Sequence, residues 1–311
     1  MNLHQLRFIR EAVRQQFSLT EAAKALFTSQ PGVSKAIIEL EEELGVQIFQ
    51  RHGKRIKNLT PPGKLVVQSA EKILAELENL KRIGAEYAAR ESGELRIAAT
   101  HTQARYVLPP VVVAFRNRYP NVKLTLLQGT PSQLVGWVKA DQADIAIATE
   151  ALALSADMVT LPCYKWEHVV VAPLGHPVLE GALTLQRLAN YPLITYERAF
   201  AGRGRIDAAF QQAGLVPQIM LEAIDADVIK TYAGLGMGVG IIAGMAFDFV
   251  KDHPLVGLPA AHLFGHNTTR LGVRQGVFMR ALMYDFIELF SPDLTRDMVD
   301  RVLEGGDSYD I

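Results

Sequence analysis

Two serine-marked helix starts, set close together around a pair of alanines, constrain this chain more than any other feature. Ser18-Leu19-Thr20-Glu21 has the form of a capping box, the serine hydroxyl accepting from the Glu21 amide and the glutamate reaching back, so a helix begins there. Ala22 and Ala23 let a second helix cross close by. After Leu26-Phe27-Thr28, Ser29 caps a further helix with Pro31 in its first turn, where the missing N–H costs nothing. Val33, Ile37, Leu40 and Leu44 then recur on one face and Gly45 stops the helix, leaving Ser34 and Lys35 outward. A preceding stripe of Leu3, Leu6, Ile9 and Val13 predicts a helix laid on the same core. Two short helices joined by a tight turn and backed by a third make a helix-turn-helix, which reads the major groove of DNA.

Beyond Val46 the periodicity shortens. Gln47-Ile48-Phe49 and Ile56-Lys57-Asn58-Leu59, hinged at Gly53, predict a small hairpin, or wing. The whole chain has a net charge of -1, yet between Gln47 and Thr60 it carries Arg51, Lys54, Arg55 and Lys57 and no acidic residue. Ser29, Gln30, Pro31, Ser34 and Lys35 are therefore the candidates for base edges and nearby phosphates of double-stranded DNA, and the four wing cations for its backbone. A solvated bundle with a charged loop is the bland alternative. Pro61-Pro62-Gly63 breaks the chain. The helix that follows places Val66, Ala70, Ile73, Leu77, Leu80, Gly84 and Tyr87 at alternating steps of four and three, a heptad seam. Such a seam pairs two copies of a chain, or else packs on its own domain.

At 311 residues, 49% hydrophobic and 21% charged, the chain has room for about two globular domains. It has no apolar run of membrane-spanning length and no signal-peptide pattern, so a cytoplasmic protein is expected, without a membrane partner. Cys163, the single cysteine, excludes a disulfide framework and reads as a buried thiol. After Gly93, buried strands are expected at Leu95 to Ala99, Val122 to Leu127, Asp144 to Ala148, His168 to Ala172 and Val239 to Ile242, with helices such as Tyr106 to Arg118 and Asp225 to Leu235 between them. The fold class is therefore α/β behind a winged helix-turn-helix head.

Thr100-His101-Thr102-Gln103 ends one such strand and starts a helix, where hydroxyls, an amide and free backbone N–H groups suit an anion; alternatively, Thr100 or Thr102 is only a cap. Thr149 and Trp166, the latter in an expected crossover, gain meaning only if they face the same cleft. No nucleophile motif is present, and the glycines from Gly234 to Gly240 follow a helix instead of opening one, so neither catalytic residues nor a cofactor are expected. His262 and His266 have the spacing of metal ligands, but Gly265 interrupts them and no third ligand is evident, so no metal site is expected. A solute-binding module and an enzyme with a regulatory head are the rival classes.

The run from Leu19-Thr20-Glu21-Ala22-Ala23 through Ser29-Gln30-Pro31-Gly32-Val33-Ser34 to Leu40-Glu41-Glu42-Glu43-Leu44-Gly45-Val46-Gln47-Ile48-Phe49 resembles the LysR-type transcriptional regulators. Thr100 to Tyr106, Thr149-Glu150-Ala151, Pro162 to Trp166 and Asp225 to Tyr232 are similar to the CysB and Cbl branch of that family, regulators of sulfur assimilation. The resemblance implies a head over residues 1–60, a dimerising linker helix over 61–91 and an effector domain over 92–311. That domain would hold two subdomains like those of periplasmic binding proteins, one at about 92–164 and 268–300, the other at about 165–267. It also implies homodimers or homotetramers, promoter DNA and RNA polymerase as partners, and a sulfate, O-acetylserine or N-acetylserine-like effector. Carried over by position, Thr100, Thr102, Gln103, Thr149 and Trp166 surround that effector. One position departs: the branch's Phe-Thr-Gly-Arg is Phe200-Ala201-Gly202-Arg203 here, so a hydroxyl expected on the anion is missing and the effector's identity is open.

Overall fold

The computed structural model describes residues 1–53, 55–88, 93–149, 152, 155, 157–200 and 202–306. The chain forms two compact units, Met1–Ala88 and Ala89–Ile311.

The first unit comprises helices α1 (Leu3–Arg14), α2 (Leu19–Ala25) and α3 (Gln30–Leu44), a hairpin of β1 (Phe49–His52) and β2 (Arg55–Leu59), and the long helix α4 (Pro61–Ala88). Leu6, Ile9, Val33, Ile37 and Leu40 meet Phe49 and Ile56 of the hairpin and Val67, Ala70 and Leu74 of α4 in one core. Ser29 caps α3 and Gly45 ends it at φ +67°. Two expected inward residues, Leu3 and Leu44, are exposed, while Gln5 and Glu41 are buried in the head. Polar side chains go inside because each is bonded there: Gln5 closes a capping box with Asn2, and Glu41 holds the start of the hairpin. The box expected at Ser18 is half-formed. Its hydroxyl accepts the Glu21 amide at 3.4 Å, but the Glu21 carboxylate is drawn forward to Lys24 at 2.8 Å.

Pro61-Pro62-Gly63 is the first turn of α4, where proline is at home. Thr60 caps this turn, accepting the Gly63 amide at 2.9 Å. Gly63 is required there: a Cβ on it would lie 1.9 Å from the Ile48 carbonyl oxygen. Two phenylalanines end helices in the left-handed region, Phe17 at φ +66° and Phe27 at φ +51°. Phe17 stacks edge-on against Phe49 at 6.3 Å. Phe27 takes the place usually given to glycine in a Schellman motif, with Thr28 N–H on Ala23 O at 2.9 Å and its own N–H on Lys24 O at 3.1 Å. The residue is 98% exposed.

The second unit is α/β, with strands β3 (Gly93–Ala99), β4 (Val122–Gln128), β5 (Ile145–Ala148), β6 (Met158–Pro173), β7 (Leu193–Tyr196), β8 (Ile219–Ala223), β9 (Val239–Ala243), β10 (Leu255–Pro259) and β11 (His266–Arg274). They run in the order β4-β3-β5-β11-β6-β9-β7-β8, with β10 also on β6. Helices α5 (Leu108–Arg118), α6 (Pro131–Lys139) and α11 (Ala281–Phe290) serve the β3 side; α8 (Arg203–Gln212), α9 (Ala226–Gly234) and α10 (Ala261–Phe264) serve the β9 side. The short α7 (Leu185–Leu188) and α12 (Arg296–Leu303) are the remaining α-helices among the described residues. Each side has its own core, Leu95, Ile97, Phe115 and Phe286 on one, and Val171, Ile194, Tyr196 and Ile229 on the other.

Every strand expected from the sequence is present, but Trp166 lies within β6 and not in a crossover. Pro162 disguised this. It faces Arg270 where the register of β6 and β11 shifts, the kind of irregularity that admits a proline within a sheet.

Candidate functional site

The first candidate surface lies on the head. Ser29 accepts the Gly32 amide at 3.3 Å, and Gln30, Pro31 and Lys35 are exposed beside a half-buried Ser34. An open groove of about 560 Å³ follows this face of α3. A second recess of about 320 Å³ joins Gln30 to Arg55 and Ile56 of the wing. Arg55 and Lys57 project freely into solvent. Arg51 differs from them, because its guanidinium is paired with Glu41 at 2.9 Å. Lys54 lies outside the described residues.

The second site is built on the β6–β11 ribbon and the turn after β3. The Thr100 amide donates to Ile147 O at 3.2 Å, and β3 and β5 run parallel, so Thr100 and Thr149 stand at neighbouring carboxyl ends, where ligands of α/β sheets bind. The backbone then widens into a π-turn, Gln103–Val107, a distortion frequent at functional sites. Thr102 makes no side-chain cap to that turn. Gln103 is committed to the protein: its Nε2 donates to Thr269 Oγ1 at 3.1 Å, and Tyr164 OH donates to its Oε1 at 2.6 Å.

Trp166 and Asn267 are register partners on β6 and β11. The indole Nε1 and the Asn267 Oδ1 are both buried without a hydrogen-bond partner. A donor and an acceptor left unpaired side by side mark a place where bonds are still to be made. Sequence reasoning missed Tyr164, Asn267 and Thr269, whose only signal is a polar alternation along β11. Arg203 is not available to an anion. It is 2% exposed, donates to Tyr196 O at 2.5 Å, and pairs with Glu222 at 2.7 Å and Asp207 at 2.8 Å. Ala201 lies outside the described residues.

Tyr106 OH donates to Asp227 Oδ1 at 2.6 Å, and Arg105 and Lys230 each approach the same carboxylate at 3.4 Å. Burial, with the Asp227 bond second, raises the Tyr106 pKa. Burial pushes Tyr196 up to about 12, against the pull of the Ala243 amide and the Thr102 hydroxyl. His101, Asp225 and Asp227 form the one metal-like group among the described residues. Its carboxylates are already engaged: Asp225 caps α9 through the Val228 amide at 2.9 Å, and Asp227 faces the two cations. Cys163 is buried, and burial lifts its thiol to about 12, out of the reactive range.

A winged helix-turn-helix head and a polar cluster at strand ends that holds an unpaired donor and acceptor fit a ligand-responsive DNA-binding regulator. Residues 3–64 match the family described as "Bacterial regulatory helix-turn-helix protein, lysR family", and residues 88–294 match the "LysR substrate binding domain". The chain belongs to the LysR family of transcriptional regulators, which bind promoter DNA and small effectors and are not enzymes. It is 57% identical to the HTH-type transcriptional regulator CysB of Burkholderia cenocepacia, over 100% of both chains. It is 44% identical to the regulator cbl of Escherichia coli K12, over 99% of this chain and 98% of that one. The crystal structure of the cofactor-binding domain of the Cbl regulator aligns with a TM-score of 0.66 and 42% identity, over 69% of this chain and 95% of that chain. Full-length CbnR in complex with its target DNA aligns with a TM-score of 0.57 at 19% identity, over 93% of this chain and 99% of that one, a likeness of fold alone. Among the described residues no helix is long and apolar enough to cross a membrane.

Proposed function

We propose that this regulator controls genes of sulfur assimilation and cysteine biosynthesis in the cytoplasm, as a homotetramer acting with RNA polymerase, in response to a small anionic or acetylserine-like effector. The observation that carries the reading is the near full-length identity to the CysB and Cbl regulators. Ser29, Gln30, Pro31, Ser34 and Lys35 read promoter DNA, and Arg55 and Lys57, together with Lys54, hold its backbone. The head is residues 1–60, the linker 61–91, which contains α4 (Pro61–Ala88), and the effector domain 92–311.

In the cleft, Thr100, Thr102 and Thr149 offer hydroxyls at strand and helix ends, and Trp166 offers the unpaired indole N–H. Gln103 shapes the turn that presents them, through its bonds to Thr269 and Tyr164. Effector binding turns the two sides of the domain against each other and so resets the spacing of paired heads.

Genome-wide mapping of bound sites tests the regulon: enrichment upstream of sulfur genes is expected, and its absence overturns that part of the reading. Calorimetry of the full-length protein with sulfate, O-acetylserine and N-acetylserine tests the effector. Heat from at least one is expected, and none from any of them removes this ligand class.

A further inference from the structure

Glu41 is 4% exposed, whereas Glu39, Glu42 and Glu43 around it on α3 are exposed. Its Oε1 accepts the amides of Ile48 at 2.8 Å and Phe49 at 3.0 Å, where the chain enters β1. Its Oε2 accepts from Arg51 Nη2 at 2.9 Å. Both carboxylate oxygens of a reading-helix residue are therefore spent on the wing. We infer that Glu41 is a positioning residue that sets DNA specificity in two ways: it fixes the wing against α3, and it withholds Arg51 from the phosphates. The inference rests on the proposal that this head binds DNA.

Counterion release explains the second part. Non-specific affinity grows with the number of phosphates neutralised, and each one adds about 0.9 to the slope of log affinity against log salt. A guanidinium already matched by a carboxylate is part of a neutral pair and releases few counterions. Arg55 and Lys57 have no such partner among the described residues, so they supply the electrostatic affinity. The first part is geometric. Two backbone amides anchored on one carboxylate fix the last turn of α3 against the base of the hairpin, and a wing held in fixed register to its helix favours one docking over many. Both effects raise the ratio of specific to non-specific binding.

The test uses the full-length protein, a duplex enriched by the wild type from a random pool, and a random duplex of equal length, titrated over a range of KCl. Failure of the wild type to bind either duplex would sink the DNA reading itself. Given wild-type binding, Glu41→Gln keeps an oxygen for the two amides and frees Arg51. It should steepen the slope on random DNA by about one unit per bound head and lower the specificity ratio about tenfold. Glu41→Gln combined with Arg51→Gln replaces the ion pair by a neutral one. Its slope should equal the wild type's, whereas Arg55→Gln should flatten the slope by about one unit. The inference is overturned if the double variant flattens the slope as Arg55→Gln does, or if Glu41→Gln leaves slope and ratio unchanged. Loss of cooperative head melting in the double variant also overturns it, because the pair would then be a folding requirement. A positional role in the fold alone would not move the salt slope.

Discussion

The residues assigned to DNA and those assigned to the effector live under opposite conditions. Gln30, Lys35, Arg55 and Lys57 are exposed and lightly bonded. Thr100, Thr102, Gln103 and Trp166 are all under a tenth exposed, at 8%, 6%, 2% and 7%. A surface that meets a stiff polyanion needs reach and charge. A sensor must instead convert the loss of a few internal bonds into a movement, so its groups are buried where an unmade bond is expensive. The difference implies that substitutions in the head change how strongly the protein binds, and substitutions in the cleft change which conformation it holds.

The sharpest way to break that contrast is on α4, where Ile73, Leu80 and Tyr87 are 44%, 61% and 79% exposed. If this exposure is a pairing seam, Leu80→Glu should dissociate the assembly, since a charge buried in both copies carries a penalty of several kcal/mol. Sedimentation velocity reads the outcome, and an unaltered species would make the seam mere surface. Next in size, Gly63→Ala should destabilise the head by about 3 kcal/mol, because the new Cβ would meet a backbone oxygen that cannot move aside. Gly136→Ala on α6, with nothing within 4 Å of its added Cβ, should instead stabilise the effector domain by about 0.5 to 1 kcal/mol. Denaturant melts that fail to separate the two glycines would contradict the packing at Ile48.

Thr100→Val should weaken effector binding by about 1.5 to 3 kcal/mol, the range for a hydrogen bond to a charged group. DNA affinity without effector should stay the same. A calorimetric titration identical to the wild type's would leave this threonine a helix cap. The smallest effect contrasts the two left-handed phenylalanines. Phe27→Asn should raise stability by about 0.5 to 1 kcal/mol, since asparagine tolerates that conformation and the ring contacts nothing that folding needs. Phe17→Asn should lower it, because its ring packs on Phe49. Melting shifts of the same sign for both would refute the comparison.

The fold of the head was legible in the sequence because the residues proposed to meet DNA lie within a few turns of the caps that orient them. Ser29, Pro31 and Gly45 delimit α3, and helical periodicity then fixes which side chains face outward. Where reading failed, a local pattern was overridden by a distant bond, as when Glu41 turned inward to serve Ile48 and Phe49. In the cleft the proportions reverse. Thr100 to Gln103 could be found as a strand end, but Gln103 meets Thr269, a residue 166 positions away. No spacing rule reaches that far. Asn267 was invisible for the same reason, and β7, buried along its whole length, has no alternation to find.

The long strand β6 has a mechanical consequence. Over Tyr164 to Glu167 it pairs with His266 to Thr269 of β11, and among the described residues no third strand flanks that stretch. Two-stranded ribbons twist more readily than wide sheets, and the register shift between Thr269 and Arg270 loosens one end further. The stretch that joins the two sides of the domain is therefore the part of the sheet freest to twist. Tyr164, Trp166, Asn267 and Thr269 sit on that ribbon, so an effector held there, as proposed above, would act on its twist directly.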